Sequence, residues 1–321
     1  MRKKLLIGSC GGLTGYYLIR HLNHIWPELI IYGTDSSSVN PSKLFVNAFV
    51  QINSSDDERN FVQDIINVII NNAIDFYIPT HSVECRTVSK NVEEILRKTN
   101  VKLLVSPYSA YTTLENKAKA YLELEQIGIR APRICIPGGE QINFPLLAKP
   151  IISSGSKGIR IINNEDELDL VQKTDNYIIV EYLKGTEYTV DILFDNYSNV
   201  FTYNQRKRIK TLGGAAVISE NDFTCDCINE ISAIGSAFKL KGPANMQFFL
   251  TQDRTMVFFD INLRFASGGL PLSVKSGADI PVALVRLLNG DSIDPSQFRS
   301  DRKPRRMYRC FEEFYEEVND I

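Results

Sequence analysis

The sequence predicts an α/β N-terminal domain on a parallel sheet, followed by an α+β part in which hairpins pack against helices. Three observations carry this. Strand-like and helix-like segments alternate up to about residue 106. From Pro107 onward, apolar runs joined by glycine turns replace that alternation. The chain has 321 residues, more than one core usually serves, so subdomains are expected.

In order, KKLLIGSC (3–10) is a buried-strand run ending in glycines, and TGYYLIRHLNHI (14–25) has helical spacing. LIIYGTD (29–35) is a second strand with Asp35 at its end. A helix over 61–74, a strand over 75–80, a helix over 88–99 and a strand over 101–106 complete the first part. TLENKAKAYLELEQIG (113–128) then reads as one helix closed by Gly128. FPLLAKP (144–150), a glycine-rich loop and GIRIINN (158–164) form a hairpin, and 165–174 is a short helix. Residues 176–195 are two strands around Gly185. Asn199–Lys210 and Gly213–Ser219 continue the antiparallel pattern. A helix over 227–240, a hairpin over 244–265 and a late helix over 279–290 follow.

Apolar residues make up 44% and charged residues 23% of the chain, as in ordinary globular proteins. The net charge of −2 offers no basic field for nucleic acid or an anionic membrane. The run Arg302–Arg309 reads as a solvated face. The apolar stretch after Lys4 is too short for a signal peptide, and no run reaches the ~18 apolar residues of a membrane helix. Six scattered cysteines (10, 85, 135, 225, 227, 310) read as reduced thiols in a cytoplasmic protein. Three histidines (21, 24, 81) argue against a histidine-rich metal site.

Four stretches carry candidate chemistry. GSCGGLTG (8–15), between strand and helix, is a place for a dinucleotide pyrophosphate, with Asp35 toward a ribose. Its spacing is not a clean G-x-G-x-x-G, and tight strand-to-helix packing explains it equally well. Tyr203 and Lys207 match a Tyr-x-x-x-Lys pair, but on a strand-like segment, which points to chance. The second stretch is AKPIISSGSKGI: Lys149 ends a strand, and Ser153, Ser154, Gly155, Ser156 and Gly158 let a backbone approach phosphates. In DINLRF, Asp260, Asn262 and Arg264 alternate onto one strand face, as Gln247 and Phe249 do on the strand before. Oxygen ligands beside an arginine suit magnesium and a transferred phosphate. In the fourth stretch, Glu181, Tyr182 and Leu183 offer backbone groups to an adenine edge, and Glu187 a carboxylate to ribose hydroxyls.

In this order the pieces resemble the ATP-grasp superfamily, specifically its carbamoyl-phosphate-synthase-like carboxylate–amine ligases. Residues 1–106 look like the pre-ATP-grasp domain, 107–184 like the small lobe with its flap, and 185–321 like the large lobe with the metal hairpin. ENKAKAYLELEQIGIRAPR is similar to the segment holding the family's first nucleotide lysine, here Lys117. Two departures stand out: Asn116 replaces the usual Asp before that lysine, and Asp260 replaces the usual metal-binding Glu.

The resemblance implies an enzyme that uses ATP and magnesium, or manganese, to convert a small carboxylate into an acyl phosphate for attack by an amine. Lys117 and Lys149 would hold phosphates, Gln247, Asp260 and Asn262 the metal, and Arg264 the transferred phosphoryl group. Closure of the Ser153–Gly158 flap would exclude water. Phe249 would lie beside the nucleotide. For the acid, Arg206 and Arg208 stand two apart on a strand, and Ser267, Gly268 and Gly269 offer backbone donors. For the amine, Glu84 is the candidate, with His81 beside it. A homodimer is expected by analogy. A nicotinamide-dependent oxidoreductase using Gly8–Gly15, or a non-catalytic nucleotide-binding protein, are the alternatives.

Overall fold

The computed structural model describes residues 3–135, 143–152, 158–174, 176–310 and 312–317. Parallel pairing joins β1 (Lys4–Ile7), β2 (Ile30–Asp35), β3 (Ala48–Gln51) and β4 (Phe76–Ile78) in the order β3-β2-β1-β4. The crossovers carry α1 (Leu13–Ile25) and α2 (Glu58–Asn72), whose apolar faces close on the sheet. After β4 come α3 (Ser82–Lys90) and α4 (Val92–Lys98), which meet at Asn91 where one helix was expected.

Two strand assignments differ from expectation. β3 lies in a stretch assigned to no strand. The strand expected over 101–106 reduces to one bridge, Lys102 to Phe76. Ser106 explains the difference, since its Oγ donates to Lys241 O at 3.0 Å and its carbonyl accepts from Ser89 Oγ at 2.7 Å. These bonds draw the chain off the sheet edge.

The single helix expected over 113–128 is two, α5 (Tyr108–Leu114) and α6 (Lys117–Gln126). Asn116 separates them: its backbone is extended, and its Oδ1 accepts from Lys119 N at 3.1 Å as the N-cap of α6. An amide oxygen caps as well as a carboxylate, so the departure at Asn116 costs the fold nothing.

A three-stranded antiparallel sheet of order β6-β5-β7 follows, with β5 (Leu146–Pro150), β6 (Arg160–Ile162) and β7 (Tyr177–Glu181) covered by α7 (Glu165–Gln172). The last sheet has order β12-β11-β8-β9-β10-β13. Its strands are β8 (Gly185–Phe194), β9 (Val200–Leu212), β10 (Ala215–Asn221), β11 (Gly242–Thr251), β12 (Met256–Asn262) and β13 (Arg306–Tyr308). Its helices are α8 (Ile228–Ala237), α9 (Leu270–Lys275) and α10 (Ile280–Asn289).

The run Arg302–Arg309 is largely exposed, as expected of a solvated face, although Arg306–Tyr308 also pair with β10 as the edge strand β13 and Arg309 is half-buried. The chain also returns to its start. Phe265, Leu284 and Leu288 share one core with Leu5, Ile7, Ile31 and Phe76. Among the described residues, no helix is long and apolar enough to cross a membrane.

Candidate active site

A cavity of about 500 Å³ opens between the three-stranded and six-stranded sheets. Lys117, Lys149, Glu181, Tyr182, Leu183, Glu187, Gln247, Phe249 and Asp260 all border it. Residues scattered over 144 positions of sequence thus meet at one cavity. Lys117 is the first residue of α6, and its N–H donates to Ile151 O at 3.0 Å, tying the helix to the end of β5. Lys149 sits on β5, 5% exposed, with Nζ donating to Tyr121 Oη and lying 4.9 Å from the Tyr121 ring and 5.7 Å from that of Phe259. Burial, then the Lys117 charge, lowers the Lys149 ammonium to about 8 against the pull of Asp260. Burial lowers Lys117 too, opposed by Asp260 and Glu115. Two partly desolvated ammonium groups facing one cavity make an anion receptor.

The far wall of this cavity is the connector from β7 to β8. Glu181 is fixed by Arg133 N at 2.7 Å and Arg130 Nη2 at 2.5 Å. Among the described residues, no hydrogen bond engages the backbone of Tyr182 or Leu183. Their polar edges are therefore open to a planar heterocycle. Gly158 has φ +77° at the base of β6. Ser153, Ser154, Gly155 and Ser156 lie outside the described residues.

Gln247 and Asp260 are cross-strand partners on β11 and β12, as are Asn245 and Asn262. Asn262 Nδ2 donates to Asp260 Oδ2 at 2.7 Å, which leaves the amide Oδ1 and the other carboxylate oxygen unengaged by that contact. β12 ends at Asn262, so Arg264 does not share its strand as the alternation suggested. It is aimed instead by Ser82 Oγ, which accepts from Nε at 2.7 Å, and by Phe265 O, which accepts from Nη1 at 2.8 Å.

Gln247 and Asp260 also border a second, polar cavity of about 220 Å³, lined by Arg206, Arg208, Asn262, Arg264 and the Ser267–Gly268 turn. Here two expectations change. Arg206 is 1% exposed and held by both Asp191 oxygens, at 3.0 and 3.2 Å. Arg208 gives Nη1 to Glu187 at 2.6 Å and Gln247 at 2.8 Å, and Nη2 to Gly214 O at 2.7 Å. Asp191 takes up the Arg206 fork, and Glu187, Gln247 and Gly214 O take up both terminal nitrogens of Arg208, whose Nε is buried without a partner among the described residues. Gly269 likewise serves packing: a Cβ there would strike the Arg206 guanidinium. Arg208 leaves Glu187 half committed, and burial raises that carboxyl while Arg208 lowers it.

Glu84 is corrected outright. It is fully buried, with Oε1 accepting from Tyr77 Oη at 2.7 Å and Oε2 from Thr80 N at 3.0 Å. It anchors the start of α3 beneath the glycine turn and lines neither the 500 Å³ nor the 220 Å³ cavity. That turn is packed as tightly: Cβ atoms at Gly8 and Gly15 would strike Glu84 and the Cys10 backbone. Asp35 Oδ2 accepts from Gly11 N at 2.9 Å. The carboxylate proposed for a ribose thus closes the turn itself, and strand-to-helix packing accounts for the glycines.

Sequence reasoning missed Tyr121, one turn of α6 beyond Lys117 and detectable by that spacing. It also missed Arg309, whose Nη1 donates to the carbonyls of Ser267 (2.9 Å) and Gly268 (3.1 Å). Nothing local could have revealed a contact spanning some forty residues.

The family model described as ATP-grasp in the biosynthetic pathway with Ter operon matches residues 173–310. A carbamoyl phosphate synthase large chain from Pseudothermotoga lettingae is 25% identical over 219 residues, 60% of this chain and 20% of that one. A D-alanine–D-alanine ligase from Fusobacterium nucleatum is 27% identical over 166 residues, 48% of this chain and 57% of that one. The chain therefore spans less than two thirds of either relative. N5-carboxyaminoimidazole synthetase from Staphylococcus aureus, solved with ADP, superposes with a TM-score of 0.74 at 16% identity, over 95% of this chain and 82% of that one.

Proposed function

We propose that this chain, whose residues 173–310 match an ATP-grasp family model, is an ATP-dependent ligase joining a small carboxylic acid to an amine through an acyl phosphate. One observation carries the reading: two buried lysines and a hairpin of oxygen donors face a single cavity of nucleotide size. The division at residues 106 and 184 is proposed with it, since each segment holds one of the three sheets.

Adenine would lie against the Tyr182–Leu183 backbone, between Leu147, Val180 and Phe249, with Glu187 toward the ribose. Lys117 and Lys149 would take the phosphates. Gln247, Asp260 and Asn262 fit magnesium. All three offer hard oxygens at one end of a hairpin, and a single carboxylate suffices where a polyphosphate supplies the remaining charge. Manganese fits the same donors. The bound metal would neutralise phosphate charge as the γ-phosphoryl group moves.

The protein's part is positioning and charge. A carboxylate oxygen of the acid, in the polar cavity, attacks the γ-phosphorus, and the bond to the ADP oxygen breaks. Arg264 stands at that cavity to hold the transferred group. The amine nitrogen then forms a C–N bond, the acyl C–O bond breaks, and phosphate leaves with the electron pair and the nitrogen's proton. Arg206 and Arg208 act by holding β9 and Gln247 in place rather than by gripping the acid.

The test is magnesium-dependent ADP release across a panel of acids and amines, with Lys149→Ala and Asp260→Ala as controls. Release that needs both partners and is lost in both variants is expected. Stimulated release that both variants retain would overturn the site.

A further inference from the structure

The transfer step needs a second substrate, and a third cavity lies where that substrate must come from. It measures about 430 Å³ and is walled by the start of α1, the end of β2, the 52–56 loop and the start of α3. It meets the polar cavity at two residues, Arg264 and Ser267, which line both. Ser82, another lining residue, is the one that holds Arg264 Nε. A molecule seated here thus ends beside the group proposed to hold the acyl phosphate.

The walls describe the occupant. Ser9, Thr14, Ser36, Ser54, Ser55 and Ser82 bring hydroxyls. Asp35 and Asp56 bring two carboxylates, and neither forms an ion pair among the described residues. Backbone N–H groups of Gly11 and Ser37 hold Asp35 in place, at 2.9 and 3.0 Å, whereas among the described residues the Asp56 carboxylate accepts only from Ser54 Oγ, at 3.2 Å, the oxygen to which its own N–H donates at 3.3 Å. Among the described lining residues Arg264 is the only lysine or arginine, and it stands at the junction rather than in the body. An anion would meet two carboxylates here, and an apolar amine would strand the hydroxyls without partners. The volume is that of a ligand the size of a sugar or nucleoside.

We propose that this cavity binds the amine substrate, and that this amine carries several hydroxyl groups, as an amino sugar does. Asp35 and Asp56 draw its ammonium into the cavity, its hydroxyls pair with the serines and Thr14, and the nitrogen, once it has given up its proton, is delivered to the junction at Arg264. The proposal rests on the ligase reading above. It also gives the glycine turn a use: the tight packing of Gly8–Gly15 over Glu84 fixes the floor of this cavity.

The experiment measures binding of three probes to the intact protein by calorimetry: glucosamine, glucose without the amine, and cyclohexylamine without the hydroxyls. Glucosamine should bind more tightly than either control, and Asp56→Asn should weaken it about five-fold, the scale of one partly solvated ion pair. Saturating MgADP should leave glucosamine bound, since the nucleotide occupies a separate cavity. Equal binding of glucose, no effect of Asp56→Asn, or displacement by MgADP would each overturn the proposal. MgADP binding, measured in the same variant, reports on the nucleotide site separately: its retention with glucosamine binding absent would refute the amine site alone.

Discussion

Replacing Lys149 by methionine should make the ligand-free protein more stable while removing its response to nucleotide. An ammonium held near 8 rather than 10.5 carries a cost of about 3 kcal/mol in its charged form at neutral pH. The hydrogen bond to Tyr121 and the two ring contacts are lost with it, which offsets part of that gain. A net gain of about 1–2 kcal/mol is expected, a shift of a few degrees in Tm. The pH dependence follows from the same group. Between about 8 and 10.5 the unfolded chain holds a proton that the folded chain has released, so this lysine's cost fades and stability rises with pH. Below 8 both states are protonated and the cost is full. Thermal melts of wild type and Lys149→Met, with and without MgADP and at pH 7 and 9.5, check each part. A variant less stable than wild type, yet still stabilised by MgADP to the same extent, would refute the reasoning.

Three further outcomes follow from the geometry. Asp260→Ala should reduce magnesium-dependent nucleotide binding at least ten-fold, about 1.4 kcal/mol, while leaving the unliganded Tm within a degree or two, as titration calorimetry against magnesium concentration would report. Glu84→Ala orphans Tyr77 Oη and Thr80 N–H in the core, and should cost about 3 kcal/mol in denaturant melts without changing nucleotide affinity in the folded protein. Arg309→Ala frees the Ser267–Gly268 turn and should raise KM for the acid about ten-fold with nucleotide affinity unchanged, as steady-state kinetics would show.

The residues around the cavity proposed for the nucleotide were largely legible because they are local. Lys149 beside Pro150, Glu181–Leu183 after a buried strand, and Gln247 with Asp260 on one hairpin each carry their meaning within a few residues. The N-terminal alternation likewise gave the parallel sheet, though β3 was too short and too polar at its end to register. What was not legible depends on long-range pairing. Arg206 and Arg208 look like free cations in sequence, and only the approach of Asp191 and Glu187 from the neighbouring strand shows them matched. Glu84 reads as a candidate to hold the amine after a strand, and only the glycine turn folded over it reveals a buried cap. The break at Asn116 depends on one side chain turning back to Lys119 N, which the helical spacing around it conceals.

A crystal structure with MgADP bound tests the central claim most directly. The account predicts adenine against Tyr182–Leu183, phosphates at Lys117 and Lys149, and the metal at Asp260. Nucleotide lying instead on the Gly8–Gly15 turn, with its ribose at Asp35, would contradict it.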